Sequence, residues 1–198
     1  MLRQLRVSVI LSVLLSLAAC GGDSTGPGDE GTPSGNFTLT VSGDVSRTIA
    51  GDEGGFWEVT DAQTQETVFV LSLSRGAATA LEGMQILLGG SRPAPGDYPL
   101  SSADPEDLEA GEGVALVVVN PSLEGSAFLG LSVSGAVTIT ESSAEVVRGT
   151  LLLTAQGTVF PPGESAVPGL VLIEGSFQAL LTEPETPEPI DPPTVNPA

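Results

Sequence analysis

The stretch FTLTVS, residues 37–42, alternates apolar and polar side chains one by one. Phe37, Leu39 and Val41 therefore point to one side of an extended chain, and the hydroxyl-bearing residues between them point to the other. A helix, with its period of 3.6 residues, would mix the two kinds of side chain on every face. This stretch predicts a β-strand with one buried face.

The same period of two recurs along the chain and predicts an all-β fold. Val137 and Ile139 alternate with threonines, and one face is shared by Val171, Ile173, Phe177, Ala179 and Leu181. Further strand candidates, each bounded by Gly, Pro, Asp or Ser clusters, are residues 56–60, 67–74, 85–88, 114–120 and 127–133. Gly43-Asp44 predicts a tight two-residue hairpin turn, residues 141–144 predict a longer one, and only residues 77–83 suit a short helix. We expect a single antiparallel β-sandwich or small barrel of about 8 to 10 strands.

The first twenty residues have the pattern of a secretory leader. Arg3 and Arg6 precede an apolar run over residues 7–19. That run is shorter than the roughly 20 residues that a helix needs to cross a bilayer. A leader that is removed on export is therefore favoured over a transmembrane span.

The end of this leader, Leu17-Ala18-Ala19-Cys20, fits the lipobox Leu-(Ala/Ser/Thr)-(Gly/Ala)-Cys position by position. The segment resembles the type II signal peptide of bacterial lipoproteins. The resemblance implies cleavage before Cys20 and acylation of its thiol, and acyl chains anchor a protein with about 0.8 kcal/mol per buried CH₂. Gly21 stands where Asp would typically retain a lipoprotein at the inner membrane, which implies the outer membrane of a two-membrane cell. The alternative is an ordinary secreted protein with an incidental cysteine.

The chain divides into four segments by composition. Residues 1–19 form the predicted signal peptide, and residues 20–35 a lipidated cysteine followed by a Gly-rich flexible tether of about 20 Å reach. Residues 36–182 form the predicted β-domain, and residues 183–198, with six prolines and four acidic residues, a disordered tail. Cys20 is the chain's one cysteine, so the domain depends on its hydrophobic core rather than on disulfides.

The charge balance excludes several functions. The chain has no histidine, its six basic residues are all arginines, and 25 acidic residues give a net charge of −19. Ser-His-Asp triads, Ser-Lys dyads, Walker-type phosphate loops and histidine-ligated zinc each require a residue type that is missing. Nucleic-acid binding is disfavoured because phosphate neutralisation needs clustered basic side chains. We expect no cofactor and no catalytic residue.

Three features are candidates for a site. Asp104, Glu106, Asp107, Glu109 and Glu112 form an acidic loop that suits Ca²⁺ by charge, although its spacing differs from that of an EF-hand. Trp57 is a candidate binding platform if it is exposed, as in carbohydrate-binding modules, and core packing is the alternative. A pair of facing carboxylates is the remaining route to a hydrolase. The motif Gly111-x-Gly113 precedes a strand and indicates a turn.

A local repeat predicts one contact. The residues V147-R-G-T-L151 recur in pattern as I173-E-G-S-F177, so Arg148 is expected to face Glu174 if the two strands are antiparallel neighbours.

The run over residues 135–179 loosely resembles small β-rich lipoproteins of unknown function in Gram-negative bacteria, which implies a fold class and no catalytic residues. The sequence thus predicts a non-enzymatic, lipid-anchored envelope protein with a structural or interaction role and an envelope protein or glycan as partner. A module that binds a carbohydrate, a small ligand or Ca²⁺ is the alternative.

Overall fold

The computed structural model describes residues 35–76, 82–119 and 125–182. Over these residues the regular structure consists of ten β-strands and one short 3-10 helix, Pro105–Asp107. The expected all-β fold is therefore confirmed. The strands are β1 (Asn36–Gly43), β2 (Arg47–Gly51), β3 (Glu53–Thr60), β4 (Thr67–Arg75), β5 (Glu82–Gly89), β6 (Gly96–Ser101), β7 (Gly113–Val119), β8 (Ala127–Ser142), β9 (Val146–Phe160) and β10 (Val167–Leu181).

All ten strands belong to one sheet, and eight of them close into a ring. The order around the ring is β3-β4-β5-β7-β6-β8-β9-β10. The ring closes at the end of β10, where Leu180 and Leu181 pair in parallel with Gly55 and Phe56 of β3. The β1–β2 hairpin lies outside the ring order and pairs with β10 along the same edge. The result is a small barrel with an attached hairpin.

The alternation seen in the sequence sets the inside and the outside of this ring. Along β9 the side chains of Leu151, Leu153 and Ala155 are buried in a single core cluster, while Leu152 between them is exposed. The aromatic rings of Phe56 and Phe69, both fully buried, stack with their centroids 5.6 Å apart. The β1–β2 hairpin contributes to the same cluster and so seals the core beside β3.

Strand β8 bends at the point where it changes partner. It pairs with β7 through residues 128–131 and with β6 through residues 134–139, with an irregularity between Ser132 and Ser134. The buried Ser132 hydroxyl lies at this irregularity and bridges β6 and β7. It donates to the carbonyl oxygen of Ser101 at 2.8 Å and accepts from the backbone N–H of Ala115 at 2.9 Å. Gly135 follows with φ +138°, a conformation that bulkier residues rarely adopt.

The predicted turn at Gly43-Asp44 is wrong in length. β1 ends at Gly43 and β2 begins at Arg47, so three residues connect them. The reason is that Asp44 is held on β10: its backbone N donates to the carbonyl of Leu170 at 3.1 Å, and its carboxylate accepts from the N–H of Leu170 at 2.8 Å. Val45 then turns into the core, where it is 7% exposed.

Other expectations are corrected at the ends of strands. Glu82 and Gly83 begin β5, so the predicted helix over 77–83 is wrong there, and residues 77–81 lie outside the described ranges. Leu181 is 51% exposed because it lies at the last position of β10, past the region that the core covers. Strands β2 and β6 were not predicted. The leader, the tether up to residue 34 and the tail 183–198 lie outside the described residues.

Candidate functional site

The residues that carry the lipoprotein resemblance lie outside the described part of the chain. Leu17, Ala18, Ala19 and Cys20 are among these residues, so lipidation at Cys20 stays a prediction. Within residues 35–76, 82–119 and 125–182, no helix is both long and apolar enough to span a bilayer.

The acidic loop is held mainly by its own backbone. Asp107 N–H donates to the carbonyl of Asp104 at 2.9 Å, and Glu112 N–H donates to the carbonyl of Glu109 at 3.1 Å. The side chains of Asp104, Asp107, Glu109 and Glu112 are exposed, and that of Glu106 lies outside the described part. Among the described residues, no group of three or more acidic, Cys or His side chains is placed to hold a metal ion.

Trp57 lies on the outward side of β3, because its neighbour Phe56 is in the core. Its cross-strand partner on β4 is Val70, and its side chain is half-buried. Trp57 is therefore neither a core residue nor a fully exposed binding platform.

The predicted contact between Arg148 and Glu174 is wrong in register, although the two strands are antiparallel neighbours as expected. Arg148 on β9 lies opposite Gln178, and Glu174 lies opposite Leu152. The Arg148 guanidinium donates to Gln178 Oε1 at 2.8 Å and forms an ion pair with Glu141 on β8. Arg148 thus links β8, β9 and β10 on the outer surface.

Arg92 lies over the ring of Phe56, a core residue of β3. Its guanidinium lies 5.6 Å from the centroid of the Phe56 ring, and Nη1 donates to the carbonyl oxygen of Ser143 at 2.6 Å. The backbone N–H of Arg92 donates to Glu58 at 2.5 Å. These contacts join the β5–β6 loop to β3 and to the β8–β9 turn. These contacts indicate a structural role for Arg92.

The most unusual surface is the outer side of β8, β9 and β10. Five leucines project from it and are 42–55% exposed: Leu129, Leu131, Leu152, Leu170 and Leu172. We refer to these five residues as the leucine face. With strands about 4.8 Å apart and outward residues about 6.7 Å apart along each strand, the surface that they span is roughly 400 Å². Gln156 and Thr154 of β9 lie within this area, among the leucines. The largest apolar patch on a typical monomer is about 300 to 600 Å² and is often functional.

The leucine face is also nearly free of charge. In the whole chain 25 acidic residues outnumber six basic ones, yet β8, β9 and β10 together contain only Glu141, Arg148 and Glu174. Two of these three form the ion pair described above. The acidic side chains that make the rest of the chain strongly negative are therefore placed elsewhere. The three strands carry a net charge of −1, and Asp44 adds a carboxylate beside Leu170.

Two rows of this surface have apolar residues on both sides of the central strand. Leu131 of β8 lies opposite Gln156 of β9, and Gln156 lies opposite Leu170 of β10. The next row has the same order, with Leu129, Thr158 and Pro168 across the three strands. In these two rows a polar residue of β9 lies between apolar residues of β8 and β10, whereas Leu152 lies on β9 itself and Leu172 is level with Thr154 and Ser134.

The sequence reasoning missed this face. Its signal is present in the runs Leu151-Leu152-Leu153 and Leu170-Val171-Leu172, where apolar residues occupy both faces of one strand. Alternation predicts which residues enter the core only when the outward residues are polar. In these runs the outward leucines look like core residues.

The comparisons with known proteins give no relative. No family model matches the chain, and neither a curated protein nor a solved structure is significantly similar to it.

Proposed function

We propose that this chain is a lipid-anchored protein of the bacterial cell envelope, with a non-enzymatic structural or interaction role. The observation that carries the interaction role is the leucine face, an exposed apolar surface on a chain of net charge −19. Exposed apolar patches of this size mark contact surfaces more often than single scattered side chains do. The anchor rests on the lipobox residues.

In this proposal, acyl chains on Cys20 hold the chain at the envelope, and residues 21–35 separate the barrel from the lipid head groups. Two or three acyl chains give stable attachment where a single chain binds only marginally. Removal of the leader also removes Arg3 and Arg6, which shifts the net charge from −19 to −21. Repulsion from anionic head groups then favours a barrel that is displayed away from the bilayer. Gly21 favours the outer membrane.

The anchor is tested by labelling cells with radioactive palmitate and separating membrane from soluble fractions. We expect the wild-type chain to take up label and to sediment with membranes, and Cys20→Ser to do neither. Ala18→Ser is the matched control, because the lipobox accepts either residue, and it should behave as the wild type. Unlabelled wild-type protein, or a Cys20→Ser variant that fractionates as the wild type, would contradict the proposal.

A module for a carbohydrate, a small ligand or Ca²⁺ stays a prediction. Calcium binding at the acidic loop is checked by titration calorimetry with and without Asp104→Asn and Glu109→Gln. Heat that disappears in the variant would support that alternative.

A further inference from the structure

From the two rows described above, we infer that the leucine face binds a second copy of this chain, face to face, around a two-fold axis that runs along β9 through Gln156. The inference deepens the interaction role proposed above and rests on it for its cellular setting, while its geometry stands on the described residues alone.

The arrangement of side chains favours a second copy over an unrelated partner. A two-fold rotation about β9 places β8 of one copy over β10 of the other. Leu131 then meets Leu170 of the second copy, and Leu170 meets its Leu131, because both leucines lie in one row with Gln156. The next row behaves alike, since Leu129 is placed over Pro168.

Each outward residue of β9 meets its own copy on this axis, and Gln156 does so in the row that contains Leu131 and Leu170. Its side-chain amide has both a donor and an acceptor, so two copies can pair with each other, which neither a carboxylate nor an ammonium group can do. The side chain is exposed in the single chain. Two Gln156 side chains on the axis, each flanked by Leu131 and Leu170, thus hydrogen-bond to one another.

Charge also favours this surface for self-association. Two molecules of net charge −19 repel each other over most approaches. The strands β8, β9 and β10 together carry a net charge of only −1 and Asp44 adds one carboxylate beside Leu170, so this approach brings few like charges together. A bilayer is a poorer occupant, because the face offers Arg148 as its only basic residue and that residue is paired with Glu141.

The leucine face alone supplies about half of the area per partner that a standard dimer interface buries. Sheets that pack face to face lie about 10 Å apart with their side chains interleaved. The roughly 400 Å² that the leucine face spans forms the centre of the contact, with the leucines around Gln156 and Thr154. Hydroxyl-bearing neighbours such as Thr150 and Ser176 supply a polar rim toward the roughly 800 Å² per partner of a standard interface.

The test uses the full chain with Cys20→Ser, so that no acyl group contributes to association. Sedimentation across micromolar concentrations should show a monomer–dimer equilibrium. Gln156→Glu and Gln156→Lys should each raise the dissociation constant at least about tenfold, because like charges then face each other on the axis. An equal mixture of the two variants should restore the dimer.

Cysteine cross-linking locates the axis independently. With Cys20→Ser as background, Gln156→Cys provides the chain's single thiol, and mild oxidation should convert it to a disulfide-linked dimer. Thr38→Cys is the matched control: Thr38 is exposed and outward on β1, one strand beyond β10, so the axis carries its two copies to opposite sides. It should cross-link far more slowly.

The inference is overturned by a Cys20→Ser chain that stays monomeric, by a dimer that Gln156→Glu does not weaken, or by equal cross-linking at Thr38→Cys. Photo-cross-linking from position 170 to a different envelope protein, with no self-association, would also overturn it but leave the proposed interaction role standing. Self-association of a chain that takes up no palmitate would support the inference and contradict the proposed lipid anchor.

Discussion

The carboxylate of Glu82 on β5 joins two arginines at a position that is 4% exposed. Arg75 Nη2 lies 2.7 Å from Glu82 Oε2, and Arg47 Nε lies 2.8 Å from Oε1. Arg75 also donates to the carbonyl oxygen of Ala50 at 3.1 Å. Because Arg47 and Ala50 belong to β2 while Arg75 belongs to β4, this cluster fastens the β1–β2 hairpin to the ring.

The first prediction concerns this buried cluster. Glu82→Gln leaves two guanidinium groups without their counter-ion, and loss of one partner of a buried pair costs about 3 to 5 kcal/mol of unfolding free energy. Because both arginines are partly exposed, we expect a loss toward the lower end of that range, about 3 kcal/mol. Urea unfolding measures it.

The control for this measurement is a pair of the same chemistry on the surface. Glu141→Gln removes the partner of Arg148, where both side chains are 47% exposed. Exposed pairs contribute about 0 to 1 kcal/mol, so the change should be small. Equal effects of the two substitutions would show that burial does not govern the Glu82 cluster.

The second prediction compares two adjacent leucines of β9. Leu153 is 1% exposed and Leu152 is 55% exposed. Leu153→Ala should lower the free energy of unfolding by about 2 to 5 kcal/mol through lost burial and a cavity. Leu152→Ala should change it by less than about 0.5 kcal/mol. Reversed effects in thermal unfolding would mean that β9 is turned over, with the leucine face inside.

The third prediction concerns the bend in β8. A Cβ atom at Gly135 would lie 2.4 Å from the carbonyl oxygen of Leu152, in a backbone conformation with φ +138°. We expect Gly135→Ala to destabilise the fold by about 1 to 3 kcal/mol. Gly125→Ala has open space around the new methyl group and should be close to neutral. If Gly135→Ala unfolds at the wild-type urea concentration, the bend does not depend on glycine.

Strand identity could be predicted where the solvent side is polar. In β1 the threonines of FTLTVS mark the outward face, and the buried residues Phe37, Leu39 and Val41 are those that the pattern indicates. β2 and β6 were not predicted from the sequence because they are short and carry few apolar residues in alternation. Pro99 further weakens the pattern of β6. Their positions depend on pairing with distant strands.

Register could not be predicted from the local repeat. The likeness of the Arg148 and Glu174 segments identified neighbouring antiparallel strands, yet Arg148 lies opposite Gln178. The length of the β9–β10 connection sets this offset, and nothing in either strand alone specifies it. The leucine face was not predicted for a related reason. An outward leucine in an apolar run cannot be distinguished from a buried one until the partners of its strand are known.

The central claim, a chain held at the envelope through Cys20, is tested most directly by the intact mass of the protein purified from membranes. We predict a chain that begins at Cys20 and is heavier than its amino-acid sequence by a diacylglyceryl group, with or without a third acyl chain. A chain that retains residues 1–19, or one that begins near residue 20 with a free thiol, would contradict the account.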